Sequence, residues 1–326
     1  MDKPGSGDGP EPRLACSHES GIRPPVRVAL VGLGDIARKA YLPVLAADPE
    51  IEPVFVTRDP IVRRELGRSW RVPGTYEHVE DALASGVDAA FVHSATSAHV
   101  PIVTVLLEAS VPTLVDKPLA ESYDEGARLV DLANRRQVGL MVAFNRRFAP
   151  AYRDVSEWPD LDVVLLHKHR RGLPDAPRRV VFDDFIHVVD TLRFLVGASD
   201  RFRVSARVAD GLLHRVLATV EDGERVGIGT MDRDSGSTQE VLEATAPGRR
   251  IRIVEMAEVT RHEHGVEAVA RRDEWTSVAA QRGFAAMCAE FLDAVRTGRR
   301  LDAADALETH RLCERIVADI IAIPGG

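Results

Sequence analysis

The hydrophobic pattern divides the chain into two parts. From Val26 onward, short apolar runs alternate with longer stretches in which apolar residues recur at helical spacing. The runs predict buried strands and the stretches predict helices, which together indicate a parallel sheet covered on both faces. The strands predicted in this way are 26–32, 51–57, 87–93, 111–116 and 139–145, with a shorter one near 71–76.

After residue 150, predicted strands follow one another with few helices between them. Such a run is typical of a largely antiparallel or mixed sheet. The strands are 161–170, 201–210, 212–221, 225–234 and 250–256, and helices are predicted over 182–197, 282–298 and 304–321. We therefore predict an α/β protein, with a doubly wound parallel sheet over 26–145. A second α/β domain with an open, largely antiparallel or mixed sheet would cover 146–326.

Composition narrows the classes of partner. The first 25 residues are rich in Pro, Gly and Ser without an apolar segment, which predicts a disordered tail rather than a signal peptide. The net charge of −8 argues against a nucleic-acid partner or an anionic membrane surface. No apolar run approaches the roughly 20 residues of a membrane span. Cys16, Cys288 and Cys313 lack metal-binding spacing, so we expect no metal site and a cytoplasmic location.

A glycine-rich segment joins the first predicted strand to the first predicted helix. Its glycines allow a tight turn and a close backbone approach to a pyrophosphate, which the helix N-terminus attracts. Because the strand–helix alternation continues beyond it, the segment predicts a Rossmann dinucleotide site rather than a tight turn without a ligand. The cofactor-binding residues predicted here are Gly32, Gly34, Asp35, Ile36 and Ala37.

The end of the second predicted strand distinguishes NAD from NADP. An NAD site has an acidic residue about 20 positions after the glycines, which binds the ribose 2′-hydroxyl. Here Thr57 takes that place and Arg58 follows, suited to a 2′-phosphate, while Asp59 is expected to cap the turn before Pro60. The sequence favours NADP(H). NAD(H) is possible if Arg58 is only a solvated surface residue.

Lys117 stands out because this chain contains four lysines and 38 arginines. It lies between an apolar run and Pro118. An ammonium group has a tunable pKa, whereas a guanidinium effectively never gives up its proton. Lys117 is therefore a candidate for proton chemistry. The plainer alternative is that it is a lysine retained by chance at the end of a strand.

Taken together, these segments resemble the Gfo/Idh/MocA family of oxidoreductases, and within it the MviM-like branch. The resemblance extends from Val26 to the final helix. It is carried by VGLGDIARKAYLPVL (31–45), FVHSATSAH (91–99), VDKPLAE (115–121), LMVAFNRRFAP (140–150), FDDFIHVVDT (182–191) and QRGF (281–284).

The resemblance implies a fold and an activity. It implies a Rossmann domain, a second domain whose open sheet often forms the oligomer interface, and a substrate bound between them. The activity implied is an NAD(P)-dependent dehydrogenase or reductase acting on a hydroxyl- or carbonyl-bearing carbon of a sugar- or cyclitol-like molecule. A homodimer or homotetramer is expected.

The resemblance also implies catalytic residues. The family's Glu-Lys-Pro motif is Asp116-Lys117-Pro118 here, and its Asp-x-Gly-x-His motif runs from Asp183 to His187 with Phe185 in place of glycine. Lys117, Asp183 and His187 are thus implied as catalytic, and which of Lys117 and His187 moves the proton is open. On the residues alone, an N-cap role for one of the two aspartates and a hydrogen-bonded helix histidine are plainer alternatives.

Weaker cofactor candidates lie at the carboxyl ends of predicted strands, where open α/β sheets bind ligands. Ser94 and His99 match the family's Thr-Pro-Asn-x-x-His segment, although Ala95 replaces its proline. Arg146 is assigned to solvent. The remaining cofactor candidates are Asp116, Lys117, Asn145 and Arg147.

Lys168 and Arg170 fall on one face of their predicted strand. We expect them, with Asp184, to meet an anionic or hydroxylated substrate. A salt bridge at an interface is an equal alternative for the two cations.

Two other functions are compatible with these residues. One is imine reduction or a redox-assisted elimination on the same fold. The other is a dinucleotide-binding regulator without turnover, which the departures at Asp116, Phe185 and Ala95 leave open, since a fold does not determine a function. The retained Lys117, Asp183 and His187 argue against the regulator.

Overall fold

The structure is a computed structural model that describes residues 24–199 and 201–323. The predicted tail lies outside these residues except for its last two, and so does Cys16. Cys288 and Cys313 are buried and free. Among the described residues, no helix is long and apolar enough to cross a membrane.

The first sheet has six parallel strands in the order β3-β2-β1-β4-β5-β6. The strand order reverses at β1, so the carboxyl ends of β1 and β4 form a switch point of the kind that binds ligands in α/β sheets. The predicted doubly wound sheet is confirmed. Its strands are β1 Val26–Val31, β2 Ile51–Val56, β3 Thr75–Tyr76, β4 Ala89–Val92, β5 Thr113–Val115 and β6 Leu140–Val142.

Helices cover both faces of this sheet. Alternate residues of β1 enter different cores, Val28 and Leu30 on one face and Ala29 and Val31 on the other, because a buried parallel strand has no solvent side. The helical elements are a π-helical turn Ala37–Tyr41 that continues as α1 Leu42–Leu45, then α2 Pro60–Ser69, α3 Val79–Ala84, a 3₁₀ turn Thr96–Ala98, α4 His99–Glu108 and α5 Tyr123–Arg136.

The second sheet has eight strands in the order β14-β13-β12-β11-β7-β10-β9-β8. Every neighbouring pair is antiparallel except β7 and β10, so the sheet is mixed, as predicted. Its strands are β7 Val163–His169, β8 Arg201–Ala209, β9 Leu212–Asp222, β10 Arg225–Asp232, β11 Gln239–Ala246, β12 Arg249–Val254, β13 Glu258–Glu263 and β14 Val266–Arg271.

The helices of the second half pack against both sheets. The helix predicted over 182–197 is divided in the structure, because a π-helical turn separates two α-helical segments. The elements are a 3₁₀ turn Asn145–Phe148, α6 Pro150–Ser156, α7 Pro177–Val180, the π-helical turn Val181–Phe185, α8 Ile186–Val196, α9 Val278–Gln281, α10 Phe284–Thr297 and α11 Ala304–Ala322.

Two glycines in β10 set the height of α8 above the second sheet. A Cβ on Gly227 would lie 2.9 Å from Val196 Cγ2, and a Cβ on Gly229 would overlap Val188 and approach Leu192 Cδ1 to 3.0 Å. The missing side chains let α8 lie directly on β10. This packing places the start of α8, with its histidine, opposite the carboxyl ends of the first sheet.

Candidate active site

Two glycines shape the loop after β1 in different ways. Gly32 has a φ of +88°, and a Cβ there would lie 2.6 Å from the backbone nitrogen of Ser94, so no side chain fits. A Cβ on Gly34 would meet nothing within 4 Å. Gly32 therefore brings β1 against the end of β4, and Gly34 keeps the space in front of the loop open. A pyrophosphate approaching the backbone requires both features.

A groove of about 760 Å³ runs outward from this loop. It collects five of the predicted cofactor residues, which lie on three different strand ends. They are Gly32, Gly34, Thr57, Arg58 and Ser94. The groove lies at the strand-order reversal, where the topology of the sheet predicts ligand binding.

Asp35, Ile36 and Ala37 do not line the groove. Asp35 is exposed and pairs with Lys39 at 2.9 Å, Ile36 is exposed, and Ala37 is buried. The first amides of a helix lack intrahelical partners, so any contact of these residues with a phosphate would run through the backbone.

The far end of the groove is built by Thr57, Arg58 and Asp59. The Asp59 carboxylate accepts hydrogen bonds from the backbone nitrogens of Ile61 at 2.8 Å and Val62 at 3.2 Å, and so caps α2 as the sequence predicts. The Asp59 carboxylate is therefore engaged in capping α2. The exposed Arg58 is left beside Thr57 on the groove wall.

Three side chains form a buried hydrogen-bonded chain behind the groove. The Tyr41 hydroxyl donates to Asp116 Oδ1 at 2.7 Å, and His93 Nδ1 lies 3.1 Å from Asp116 Oδ2. The rings of Tyr41 and His93 stack with centroids 3.8 Å apart. Burial alone would favour the neutral acid, but His93 and the Tyr41 hydroxyl hold the pKa of Asp116 below its usual value. The predicted cofactor residue Asp116 is thus bonded to its own neighbours.

Two polar atoms beside this chain have no hydrogen-bond partner among the described residues. They are His93 Nε2 and Ser94 Oγ, and both are buried. Both residues line the groove. Because buried polar atoms are nearly always paired, these two are placed to bond a ligand in the groove.

His99 lies outside the groove and connects two loops. It is almost fully buried, and its ring nitrogens lie 2.9 Å from the Pro118 carbonyl oxygen and 3.0 Å from the Ser94 carbonyl oxygen. Burial lowers the pKa of His99. The contacts fix the end of β4 against the turn that carries Lys117, so the residue positions its neighbours.

Lys117 reaches from the end of β5 to the π-helical turn before α8. Its Nζ donates a hydrogen bond to the backbone carbonyl of Asp183. Burial lowers the pKa of the ammonium, partly offset by the charges of Asp183 and Asp116. A lysine with a lowered pKa gives up its proton more readily, which an arginine effectively never does.

His187 lies in the same cleft, and its Nδ1 is buried without a partner in the described part of the chain. Burial, followed by the positive charges of Arg146 and Lys117, lowers the pKa of His187 well below its usual value. The ring is therefore neutral at physiological pH, and its unpaired Nδ1 is placed to form a hydrogen bond with a ligand in the cleft.

The two aspartates before His187 do not act as expected from the sequence. We expected one of Asp183 and Asp184 to be an N-cap, but helix begins earlier, at Pro177, and neither caps it. Asp183 is half exposed and lies 3.6 Å from Arg179. No hydrogen bond joins Asp183 to His187 among the described residues, so the catalytic role implied for Asp183 stays a prediction.

Asp184 collects three cations. Arg170 binds it through two nitrogens at 2.7 Å each, Arg233 Nη1 lies at 2.7 Å, and Lys168 Nζ is in direct contact. Although burial opposes ionisation, these cations lower the pKa of Asp184. Lys168 and Arg170 thus each form an ion pair with Asp184, at the wall of the cleft.

Arg146 was assigned to solvent, and that prediction is wrong. It is 6% exposed, and its Nε donates to Glu240 Oε1 at 2.8 Å while Nη2 contacts Oε2. The Tyr152 hydroxyl donates to the same carboxylate at 3.0 Å. Burial raises and Arg146 lowers the pKa of Glu240, with a net value of about 2. The arginine faces β11, a strand that the sequence pattern did not reveal.

Comparison with known protein families matches this chain in two segments. Residues 26–144 match the model of the Gfo/Idh/MocA oxidoreductase family with its NAD-binding Rossmann fold, and residues 150–264 match the YceM-like C-terminal domain. The "Putative oxidoreductase YceM" of Salmonella typhimurium is 36% identical over 318 residues, which are 91% of this chain and 99% of that protein.

This chain belongs to the Gfo/Idh/MocA family.

Further relatives agree with this assignment. The myo-inositol dehydrogenase Hyg17 of Streptomyces leeuwenhoekii is 30% identical over 67% of this chain and 69% of that protein. A Gfo/Idh/MocA oxidoreductase structure from Vibrio cholerae is 34% identical with a TM-score of 0.86, covering 91% of this chain and 98% of that one. The dehydrogenase MviM from Clostridium difficile is 28% identical with a TM-score of 0.83 at the same coverage. The chain is an oxidoreductase with dehydrogenases among its relatives.

The residues of this family member fit an NAD(P) cofactor. The open space in front of Gly34 and the unpaired atoms of His93 and Ser94 are the features that support the fit. When bound, the nicotinamide would supply hydride exchange with the substrate. The groove residues would hold the dinucleotide, and Lys117 directly follows Asp116, whose partner His93 lines the groove.

Asn145 and Arg147, two predicted cofactor residues, instead connect parts of the protein. Asn145 Nδ2 donates to the Arg282 carbonyl at 2.7 Å. Arg147 binds Asp190 through Nε at 3.0 Å and Nη2 at 2.6 Å, and also contacts Asp305. These contacts join the end of the first sheet to α8 and α11.

Sequence reasoning missed several residues of the site. Tyr41 and His93 were passed over because each lies in an apolar segment and reads as core. Arg233 and Glu240 were passed over because their partners are far away in sequence. A signal was present for His93 only, since a histidine at the end of a buried parallel strand faces the ligand-binding edge.

Proposed function

We propose that this oxidoreductase prefers NADP(H) and acts on a hydroxyl- or carbonyl-bearing carbon of a sugar- or cyclitol-like molecule. The observation that supports it most is the contact between Lys117 and the Asp183 carbonyl. It places a lysine from the first sheet beside His187 on α8, next to the groove that starts at the glycine loop.

In this proposal Lys117 and His187 manage the substrate proton. The neutral His187 can form a hydrogen bond with a substrate hydroxyl, and Lys117 can hold or release a proton because burial has lowered its pKa. Which of them performs the transfer is open. Asp183 contributes its backbone carbonyl, which holds the lysine in the cleft.

The preference for NADP(H) rests on the far end of the groove. Asp59, the acid that follows Thr57 and Arg58 at this strand end, is used as the cap of α2. Thr57 and Arg58 are left on the wall, a hydroxyl and a guanidinium that suit a 2′-phosphate. The substrate class follows the relatives, of which one is a myo-inositol dehydrogenase.

We also propose a homodimer or homotetramer in the cytoplasm, with the Rossmann domain ending near residue 145 and a second domain over 146–326. Light scattering of the purified protein would give the oligomeric state.

The cofactor proposal is tested by titrating the protein with NADPH and with NADH and following cofactor fluorescence. We expect tighter binding of NADPH, and a loss of about 10- to 100-fold in Arg58→Ala, because a charge-assisted contact contributes about 1.5–3 kcal/mol. Arg64→Ala, an exposed arginine on α2, is the matched control and should bind like the parent.

Equal affinity for the two cofactors, unaltered in Arg58→Ala, would make Arg58 a bystander and overturn the NADP preference. No binding of either cofactor by a folded sample would contradict the proposal as a whole.

A further inference from the structure

The cleft beside His187 holds more positive than negative charge. Within the described chain, its buried or half-buried cations outnumber its buried or half-buried carboxylates by five to three. The cations are Lys117, Arg146, Lys168, Arg170 and Arg233, and the carboxylates are Asp116, Asp184 and Glu240.

The ion pairs are distributed unevenly. Asp184 pairs with Lys168, Arg170 and Arg233 at once, while Glu240 pairs with Arg146. Asp116 and Asp183 do not balance this positive charge. The two carboxylate oxygens of Asp116 are bonded to Tyr41 and His93, and Asp183 is half exposed beside Arg179.

The shortage of carboxylates is reflected in the pKa of Lys168. It is 3% exposed, and burial together with the charge of Arg146 lowers its pKa to about 8, despite contact with Asp184. His187 faces the same excess, since Arg146, Lys117, Lys168 and Arg170 all disfavour its protonated form. Cations removed from water need anionic partners, and the protein supplies too few.

We propose that the substrate carries an anionic oxygen group, a carboxylate or a phosphate, bound by Lys168 and Arg170. This rests on the proposed function and narrows its substrate class from neutral polyols to their acids or phosphate esters. The anion supplies the missing charge.

Arg170 and Lys168 are suited to this role by their position. Arg170 uses Nε and Nη2 for Asp184, and its side chain is 27% exposed, so it stays partly accessible to a ligand. Lys168 Nζ has three N–H donors, and among the described residues it donates a hydrogen bond to Asp184 alone. An incoming carboxylate or phosphate would therefore share the cations with Asp184.

The experiment measures binding of matched pairs to the protein saturated with NADPH, at constant ionic strength. The probes are glucose against gluconate and glucuronate for the carboxylate arm, and glucose against glucose 6-phosphate for the phosphate arm. Quenching of NADPH fluorescence and the shift in melting temperature are the two readouts. We expect one charged arm to bind at least tenfold more tightly than glucose, and the arm that binds identifies the anion.

Variants locate the binding. Lys168→Met and Arg170→Met should each weaken the binding of the favoured anion by tenfold or more while the NADPH titration stays within twofold. Arg203→Met, an exposed arginine on β8 outside the cleft, should leave both unchanged. The NADPH titration also shows that each variant is folded.

The proposal is overturned if glucose binds as tightly as its charged partners, if no charged probe binds to the NADPH complex, or if the anion binds Lys168→Met and Arg170→Met as it binds the parent. Its failure is separate from failure of the proposed cofactor use, because NADPH binding and its loss in Arg58→Ala are measured without any substrate.

Discussion

His93 and Asp116 act as a pair, although only the second lies in a recognisable motif. The aspartate is one methylene shorter than the glutamate that the family resemblance leads us to expect, and its two oxygens bind Tyr41 and His93. With Nδ1 directed at Asp116, His93 presents Nε2 toward the groove. A group of this kind is fixed in one tautomer by its carboxylate partner.

This geometry predicts that His93 contributes to cofactor binding. His93→Ala should weaken NADPH binding by about 2- to 10-fold, because a neutral hydrogen bond contributes roughly 0.5–1.5 kcal/mol. Tyr41→Phe is the control, since it removes a hydrogen bond from the same carboxylate but no group from the groove. Fluorescence titration gives both values. A similar loss in both variants would mean that the effect comes from disturbed packing, and the predicted contact would be absent.

At the scale of elements, two π-helical turns carry much of the site. Ala37–Tyr41 supplies Tyr41, and Val181–Phe185 supplies the Asp183 carbonyl and the Asp184 carboxylate. Such insertions in a helix are often associated with function. The second one is held in place by α8, which in turn rests on the two glycines of β10.

The glycine contact predicts a specific cost. Gly229→Ala should destabilise the protein by about 1–3 kcal/mol, because the new methyl group overlaps Val188 and forces α8 away from the sheet. Gly236→Ala, where a Cβ meets nothing within 4 Å, is the control and should change stability by less than about 1 kcal/mol. Urea unfolding measures both. Equal midpoints would show that α8 does not depend on the small residue.

The sequence predicted the elements whose pattern is local and missed those that depend on their surroundings. The main strands of the first sheet were recognisable because they are buried apolar runs, and the glycine loop because it follows one of them. The strands β13 and β14 were not, because they lie at one edge of the second sheet, where β13 is mostly half-buried and β14 is exposed. The π-helical turns have no sequence signal of their own.

The same distinction applies to the candidate site. Lys117 and Asp183 were predicted from short motifs, and the structure brings them into contact. The pairing of Arg146 with Glu240 joins residues 94 positions apart, on a 3₁₀ turn and an unpredicted strand. A pattern read along the chain contains no information on such a pair, so the charge excess of the cleft became visible only in three dimensions.

At the scale of the whole molecule, the two sheets are joined by contacts that converge on α11. Arg147 links the end of the first sheet to Asp190 on α8 and Asp305 on α11, and Arg193 donates to the same Asp305 at 2.7 Å. His310, in the middle of α11, accepts a hydrogen bond from the backbone nitrogen of Leu119 at 2.8 Å. Leu119 follows the Lys117 turn, so α11 holds the loop that carries Lys117 to the second half.

His310 makes this connection sensitive to pH. Its Nδ1 lies 2.8 Å from the Ala306 carbonyl and its Nε2 accepts from Leu119, so the ring must be neutral to satisfy both. Burial lowers the pKa of His310 to about 4. In the unfolded chain a histidine has a pKa of about 6.5, so the unfolded state takes up its proton first as the pH falls. The stabilisation from neutral His310 is therefore complete above pH 6.5 and is lost between pH 6.5 and 4.

Linkage between protonation and folding sets the size of this effect at roughly 3 kcal/mol for a shift of this extent. Urea unfolding at pH 7.5, 6.0 and 4.5 should show stability falling with pH, with buried His99 and His187 adding in the same direction. His310→Gln removes one titrating group, so it should be less stable than the parent at pH 7.5 and should lose less stability on acidification. His264→Asn, at an exposed turn, should keep the parent's pH dependence. If His310→Gln and the parent lose stability in parallel from pH 7.5 to 4.5, then His310 is not the group that couples the Lys117 loop to α11 through its protonation.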